Sequence, residues 1–143
     1  MIEAAFWDAS ALIPLCLEAQ SLPIVDRLFQ ETFLVVWWGT PVEIRSALAR
    51  LVRMRQALPD ELAEACRLLD ELKHEWLEIG PSDSVRSLAE DLPDRFGLRA
   101  GDALQLAAAH MWTLQNPFGR PFISGDKRLL DAAEQMGFRT IAV

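Results

Sequence analysis

Along this chain, short unbroken apolar runs alternate with longer stretches in which apolar positions recur every three or four residues. EAAFW (3–7), TFLVVW (32–37) and FIS (122–124) are of the first kind. TFLVVW is rich in β-branched and aromatic residues and carries no charge, which predicts a strand buried on both faces. EWLEI (75–79) predicts a weaker strand, and FRTIAV (138–143) a final one. The second kind predicts helices. One starts near Ser10, with Leu12, Leu15 and Cys16 on one side, and another runs from Ser21 to about Glu31 with Pro23 in its first turn. A third covers 40–53, with Thr40 as N-cap, Pro41 at N1, and Ile44, Leu48 and Leu51 as its apolar stripe. Residues 58–72 follow, with Leu62, Cys66, Leu69 and Leu72 at helical spacing. Ser82 to about Leu92, DALQLAAAHMWTL (102–114) and DKRLLDAAEQMG (126–137) complete the set. DRFGLRAG (94–101) predicts a turn and NPFGRP (116–121) a loop. The alternation predicts the α/β class: a three-layer α/β/α sandwich around a central, mostly parallel five-stranded sheet, in a single domain 1–143.

Composition narrows the function. With 143 residues, 51% of them hydrophobic, there is enough apolar material for a core. No apolar run is long enough to span a membrane. The segment MIEAAFWDAS lacks the basic and long apolar parts of an export signal, so none is expected. Cys16 and Cys66 are too few for a disulfide framework; both are expected as buried thiols in a reducing cytoplasm. The net charge of −7 argues against a general nucleic-acid binder. Local cations stand against that field: Arg45, Arg50, Arg53 and Arg55 in one helix and its end, and Lys127 and Arg128 in SGDKRL.

Four acids then change the picture. Asp8 ends the first strand, Glu43 lies in the first turn of the helix after the second, Asp102 begins a helix, and Asp126 stands just past FIS. In a parallel α/β sheet, strand ends and the starts of the following helices converge on one edge, where such folds bind ligands. Four like charges there repel one another and raise each other's pKa values. A divalent cation such as Mg²⁺ or Mn²⁺ removes the conflict, polarises a phosphodiester oxygen and acidifies a bound water. Each acid also has a plain structural reading. TPVE is a capping box, in which Glu43 returns a hydrogen bond to Thr40; Asp126 caps the next helix; Asp102 suits a helix dipole; Asp8 is a turn acid.

These segments resemble the PIN domain and, within it, the VapC-like ribonuclease toxins of type II toxin–antitoxin modules. The likeness is carried by FWDASALIPLCLEA, VVWWGTPVEIRSALARL, LRAGDALQLAAA and FISGDKRLLDAAEQMGF, and covers nearly the whole chain. It puts the family's acidic quartet on Asp8, Glu43, Asp102 and Asp126, and its hydroxyls on Ser10 and Ser124. It implies a PIN-like fold and a Mg²⁺- or Mn²⁺-dependent endoribonuclease. In such enzymes water attacks an RNA phosphodiester, leaving 5′-phosphate and 3′-hydroxyl ends. It also implies a homodimer silenced by a cognate antitoxin that inserts a helix or tail near the acids. Gly125, between Ser124 and Asp126, is a mild departure from the pattern, and 58–76 is too variable in such families to test it.

On this resemblance Asp8, Asp102 and Asp126 are metal ligands, some through water, and Glu43 holds or orients a water. Ser10 and Ser124 donate to carboxylates or phosphate oxygens, with Ser10 equally suited to capping a helix. Arg45 and Lys127 contact the RNA backbone or remain solvated surface charges, and Arg50, Arg53 and Arg55 line an RNA path or pair with local acids. His74 and His110 lack partners at ligand spacing, which argues against zinc. In the pair Trp37–Trp38, one ring is expected in the core and one on a dimer or antitoxin surface, for which Leu22, Leu28 and Phe29 are further candidates. The alternatives are a stand-alone PIN-type RNA-processing nuclease and a catalytically inactive RNA-binding or interaction domain. A phospho-acceptor signalling domain fits less well, because FWDAS offers a single acid where that fold needs an adjacent pair.

Overall fold

The computed structural model describes residues 2–143. Its centre is a sheet of five strands: β1 (Glu3–Trp7), β2 (Thr32–Trp37), β3 (Leu77–Ile79), β4 (Pro121–Ser124) and β5 (Arg139–Ala142). They lie side by side in the order β3-β2-β1-β4-β5, and all four pairings are parallel. β1 registers on β2 through Phe6 and Val35, and on β4 through Phe6 and Phe122.

Period-two alternation sorts the strand side chains between two cores. Ala5, Trp7, Leu34, Val36 and Ile123 face one side; Phe6, Val35, Trp37 and Phe122 face the other. The first side is covered by α1 (Ala9–Cys16), α2 (Pro23–Glu31), α3 (Thr40–Arg53) and α4 (Pro59–Leu72), which contribute Leu12, Leu28, Ile44, Leu48 and Leu69. The second is covered by α5 (Asp83–Phe96), α6 (Ala100–Trp112) and α7 (Lys127–Gln135), through Leu92, Leu106 and Leu129. Each large side chain buried in this way contributes about 1.5–3 kcal/mol of transfer free energy. The result is the predicted three-layer α/β/α sandwich with a PIN-like sheet. No helix among the described residues is long and apolar enough to cross a membrane.

Several local expectations differ from the structure. β3 begins at Leu77 rather than Glu75, because Trp76 turns inward, buried, with its indole Nε1 donating to Glu78 Oε2 at 2.9 Å. α5 continues past Pro93 to Phe96 and closes on Gly97, whose left-handed φ of 67° suits a residue without a side chain. The Gly97 N–H then donates to the carbonyl of Pro93 at 2.8 Å. Thr40 is not the N-cap of α3. Gly39 takes that position, and the Thr40 side chain is fully buried against α6. Cys16 is buried as expected, but Cys66 is only half-buried, at the edge of the α4 stripe.

The strand ends at Trp37, so Trp37 stays in the core and Trp38 projects into solvent, 57% exposed. Leu22 is exposed as a surface candidate should be, whereas Leu28 is core and Phe29 packs partly against it.

Candidate functional site

The strand order runs outward in both directions from β1 and β4, which makes the carboxyl ends of these two strands the switch point of the sheet. Asp8 follows β1 directly, and its backbone N–H donates to the Ile123 carbonyl of β4 at 3.0 Å. Ser124 ends β4, and Asp126 caps α7, its Oδ1 accepting from the Leu129 N–H at 3.1 Å. Glu43 enters from the first turn of α3, and Asp102 from the first turn of α6. All four acids line one open cleft of about 960 Å³.

Asp8 is 3% exposed, and two hydroxyls answer its burial. Ser10 Oγ and Ser124 Oγ both donate to the same oxygen, Asp8 Oδ2, the second at 2.9 Å. Each serine in turn accepts a backbone N–H, Gly125 on Ser10 and Asp126 on Ser124, at 2.9 and 3.0 Å. Ser10 is thus a carboxylate donor and not a helix cap; Asp8 itself occupies the N-cap position of α1. Burial still pushes the Asp8 carboxyl above its ordinary value, with the two serines pulling the other way.

Glu43 does not close a capping box. Its Oε2 accepts from the amide Nε2 of Gln105 at 3.1 Å, and the same nitrogen reaches Thr40 Oγ1 at 3.0 Å. Burial, then the charges of Asp8 and Asp102, push Glu43 up to about 7 against the bond from Gln105. Asp102 is pushed up to about 6, by burial first and then by Asp126 and Asp8, while Arg99 and Arg128 draw it down. Three of the four acids are therefore raised above their ordinary range, by burial first, with like charge adding to it for Glu43 and Asp102.

Cations flank this acidic floor. Arg50 and Arg53 line the cleft along α3, with Arg99 at its other side. An adjoining hollow is lined by Arg99, Lys127 and Arg128 together with Asp102 and Asp126. Lys127 also reaches Asp131 at 3.7 Å, one turn along α7. Arg45 is not part of the cleft lining; it extends toward α4, with Asp70 at 3.7 Å. Arg55 is likewise absent from the lining. The histidines stay outside the cleft lining, with His110 Nδ1 buried and unpartnered, and burial draws the His110 ring below the ordinary imidazole range. Gln105 and Arg99 were not singled out by their sequence positions. A buried glutamine within the alanine run of DALQLAAA is the one signal that could have marked Gln105.

The donor set is all oxygen, which suits a hard divalent cation better than zinc or copper. Yet among the described residues no three histidine, cysteine, aspartate or glutamate side chains are arranged to hold a metal ion. The acids therefore fit an ion in chemistry and in shared location, but not as a preformed cage.

The fold recurs in solved structures. PAE2754 from Pyrobaculum aerophilum is 20% identical with a TM-score of 0.66, matched over 98% of this chain and 90% of that one. A toxin–antitoxin complex from Klebsiella pneumoniae is 14% identical, TM-score 0.62, over 86% of this chain and 87% of that one. FitAcB from Neisseria gonorrhoeae is 13% identical, TM-score 0.59, over 96% of both chains. Identities this low establish the shared fold. No protein-family model and no curated protein matches the chain.

Proposed function

We propose that this chain is a metal-dependent endoribonuclease that works as the toxin of a toxin–antitoxin pair. The observation that carries the reading is the convergence of Asp8, Glu43, Asp102 and Asp126 on one cleft at the switch point of the sheet. Asp8, Asp102 and Asp126, with Glu43, would hold Mg²⁺ or Mn²⁺. Because these ions keep several of their own waters, a cleft without a closed cage can still retain one. When bound, the ion supplies positive charge to a phosphodiester oxygen and acidifies water at neutral pH.

The chain's own groups do the rest. Ser10 and Ser124 fix the Asp8 carboxylate through Oδ2. Glu43 orients the attacking water, and the P–O3′ bond breaks to leave 5′-phosphate and 3′-hydroxyl ends. Arg50 and Arg53 on one side, and Arg99, Lys127 and Arg128 on the other, lie where an RNA backbone crossing the acids would run. The likeness to a toxin–antitoxin complex supports a protein antitoxin as partner. A homodimer in the cytoplasm belongs to the same reading.

A second reading, an interaction domain without catalysis, is favoured by one observation: the absence of a ready metal cluster among the described residues. A single experiment separates the two. Purified protein is given RNA with Mg²⁺ or Mn²⁺, with EDTA, and as the Asp8→Asn variant. The nuclease reading expects cleavage with metal and a loss of about 100-fold or more in the other two conditions. Equal cleavage in all three defeats it, and no cleavage by folded, metal-loaded protein supports the second reading.

A further inference from the structure

We infer that Gln105 and Gly101, one turn apart on α6, form the seat that fixes the Glu43 carboxylate in the cleft, and that both are positioning residues for the reaction. For its catalytic consequence this rests on the nuclease reading; the seat itself does not. Gln105 is fully buried, in a helix stretch whose neighbours Ala103, Leu106, Ala107, Ala108 and Ala109 are all core. A polar side chain among them has to be accounted for. Its Nε2 spans two residues of α3, Thr40 and Glu43, that lie on one helical face three positions apart. Its Oε1 is buried and unpartnered. A residue kept for packing would avoid that orphaned acceptor, whereas a residue kept for its N–H groups tolerates it.

Gly101 completes the seat from the same face. A Cβ at this position would lie 3.2 Å from Glu43 Oε1, tighter than an ordinary contact, so the carboxylate would have to give by a few tenths of an ångström if the position were not bare. One carboxylate oxygen is thus gripped by an amide and the other fits against a glycine. Asp102 stands beside Gly101 in the same helix turn. α6 therefore delivers one acid of the cleft and at the same time sets the place of another that belongs to α3.

The test uses Gln105→Met, Gln105→His and Gly101→Ala in the full chain. Methionine matches the length of glutamine without its donor, and histidine restores an N–H at similar reach. Alanine favours the helix more than glycine does, so Gly101→Ala should hold or raise Tm. Three quantities are read: the Glu43 rotamer in metal-free crystal structures, Mn²⁺ affinity, and kcat and KM on RNA.

We expect Glu43 to leave its position in Gln105→Met and to be displaced by a few tenths of an ångström in Gly101→Ala. Mn²⁺ affinity and kcat should each fall about tenfold or more with KM within twofold, and Gln105→His should regain part of the loss. A Glu43 that stays in place in both damaging variants overturns the inference. So does a kcat that falls only in step with Tm. If Glu43 moves but wild-type protein cleaves no RNA, the seat stands and the nuclease reading is what fails.

Discussion

Raising the pH of the metal-free protein from 5 to 8 should cost it stability, and Glu43 should set a separable part of the loss. Its carboxyl is raised from 4.5 to about 7 in the folded chain, by burial first. The native state therefore binds this proton more tightly than the unfolded chain does. Its stabilising contribution is complete below pH 4.5 and disappears as pH climbs through about 7. Taken whole, the shift would be worth roughly 3 kcal/mol at ~1.36 kcal/mol per pH unit. Glu43 is only partly buried and borders an open cleft, so screening by water reduces this to about 1–2 kcal/mol. For a chain of this size that is a fall in Tm of roughly 3–6 °C.

Asp102, raised from 3.8 to about 6, adds a smaller loss at lower pH, and Asp8, pushed up by its burial, adds one of the same sign. The assay is thermal unfolding in EDTA between pH 5 and 8, comparing wild type with Glu43→Gln. The amide has no proton to release, so the variant should lose the part of the slope between pH 5 and 7. Mg²⁺ should restore wild-type Tm at pH 8 far more than at pH 5. A variant whose Tm falls as steeply as wild type would refute the reasoning.

Two further outcomes follow from the same arrangement. Arg50 and Arg53 line the cleft and make no ion pair among the described residues, so replacing both with Gln should change Tm little. RNA binding in EDTA, measured by fluorescence anisotropy, should weaken about tenfold, with the salt slope reduced by roughly one to two; an unchanged slope would remove these arginines from the RNA path. Burial, with Cys66 nearby, pushes the Cys16 thiol up to about 12, whereas Cys66 is only half-buried. A disulfide reagent at pH 8 should therefore titrate one thiol quickly in the native protein and the second only on unfolding. Two fast equivalents would contradict the buried placement of Cys16.

Much of this fold was legible because hydrophobic period is a direct image of burial. TFLVVW reads as a two-sided strand, and its Leu34 and Val36 do face one core while Val35 and Trp37 face the other. The convergence of the acids was legible for a topological reason: in a parallel sheet, every strand end followed by a helix start lies on the same rim. What the sequence hid was long-range competition for the same polar groups. TPVE carries every local mark of a capping box. Thr40 and Glu43 are nonetheless turned toward a glutamine 65 and 62 residues away, because the first turn of α3 meets α6 at the rim of the sheet, where Gln105 must satisfy its own buried amide. Arg45 stands two residues from Glu43, yet the helical turn between them sends it toward α4. The helix expected from Ser82 to about Leu92 runs on through Pro93. Its missing N–H removes one bond, and the following turn is retained because Gly97 can close it.

The central place of β1 and β4 has a consequence for how the cleft is assembled. The two strands lie side by side, yet Asp8 and Ser124 at their ends are 116 positions apart in the sequence. Contacts of such long range close a large loop and are costly to form early in folding. A chain in which β4 has yet to slot in beside β1 holds Asp8 and Glu43 without Ser124 and Asp126, so the acidic rim is completed only by the longest-range pairing in the sheet.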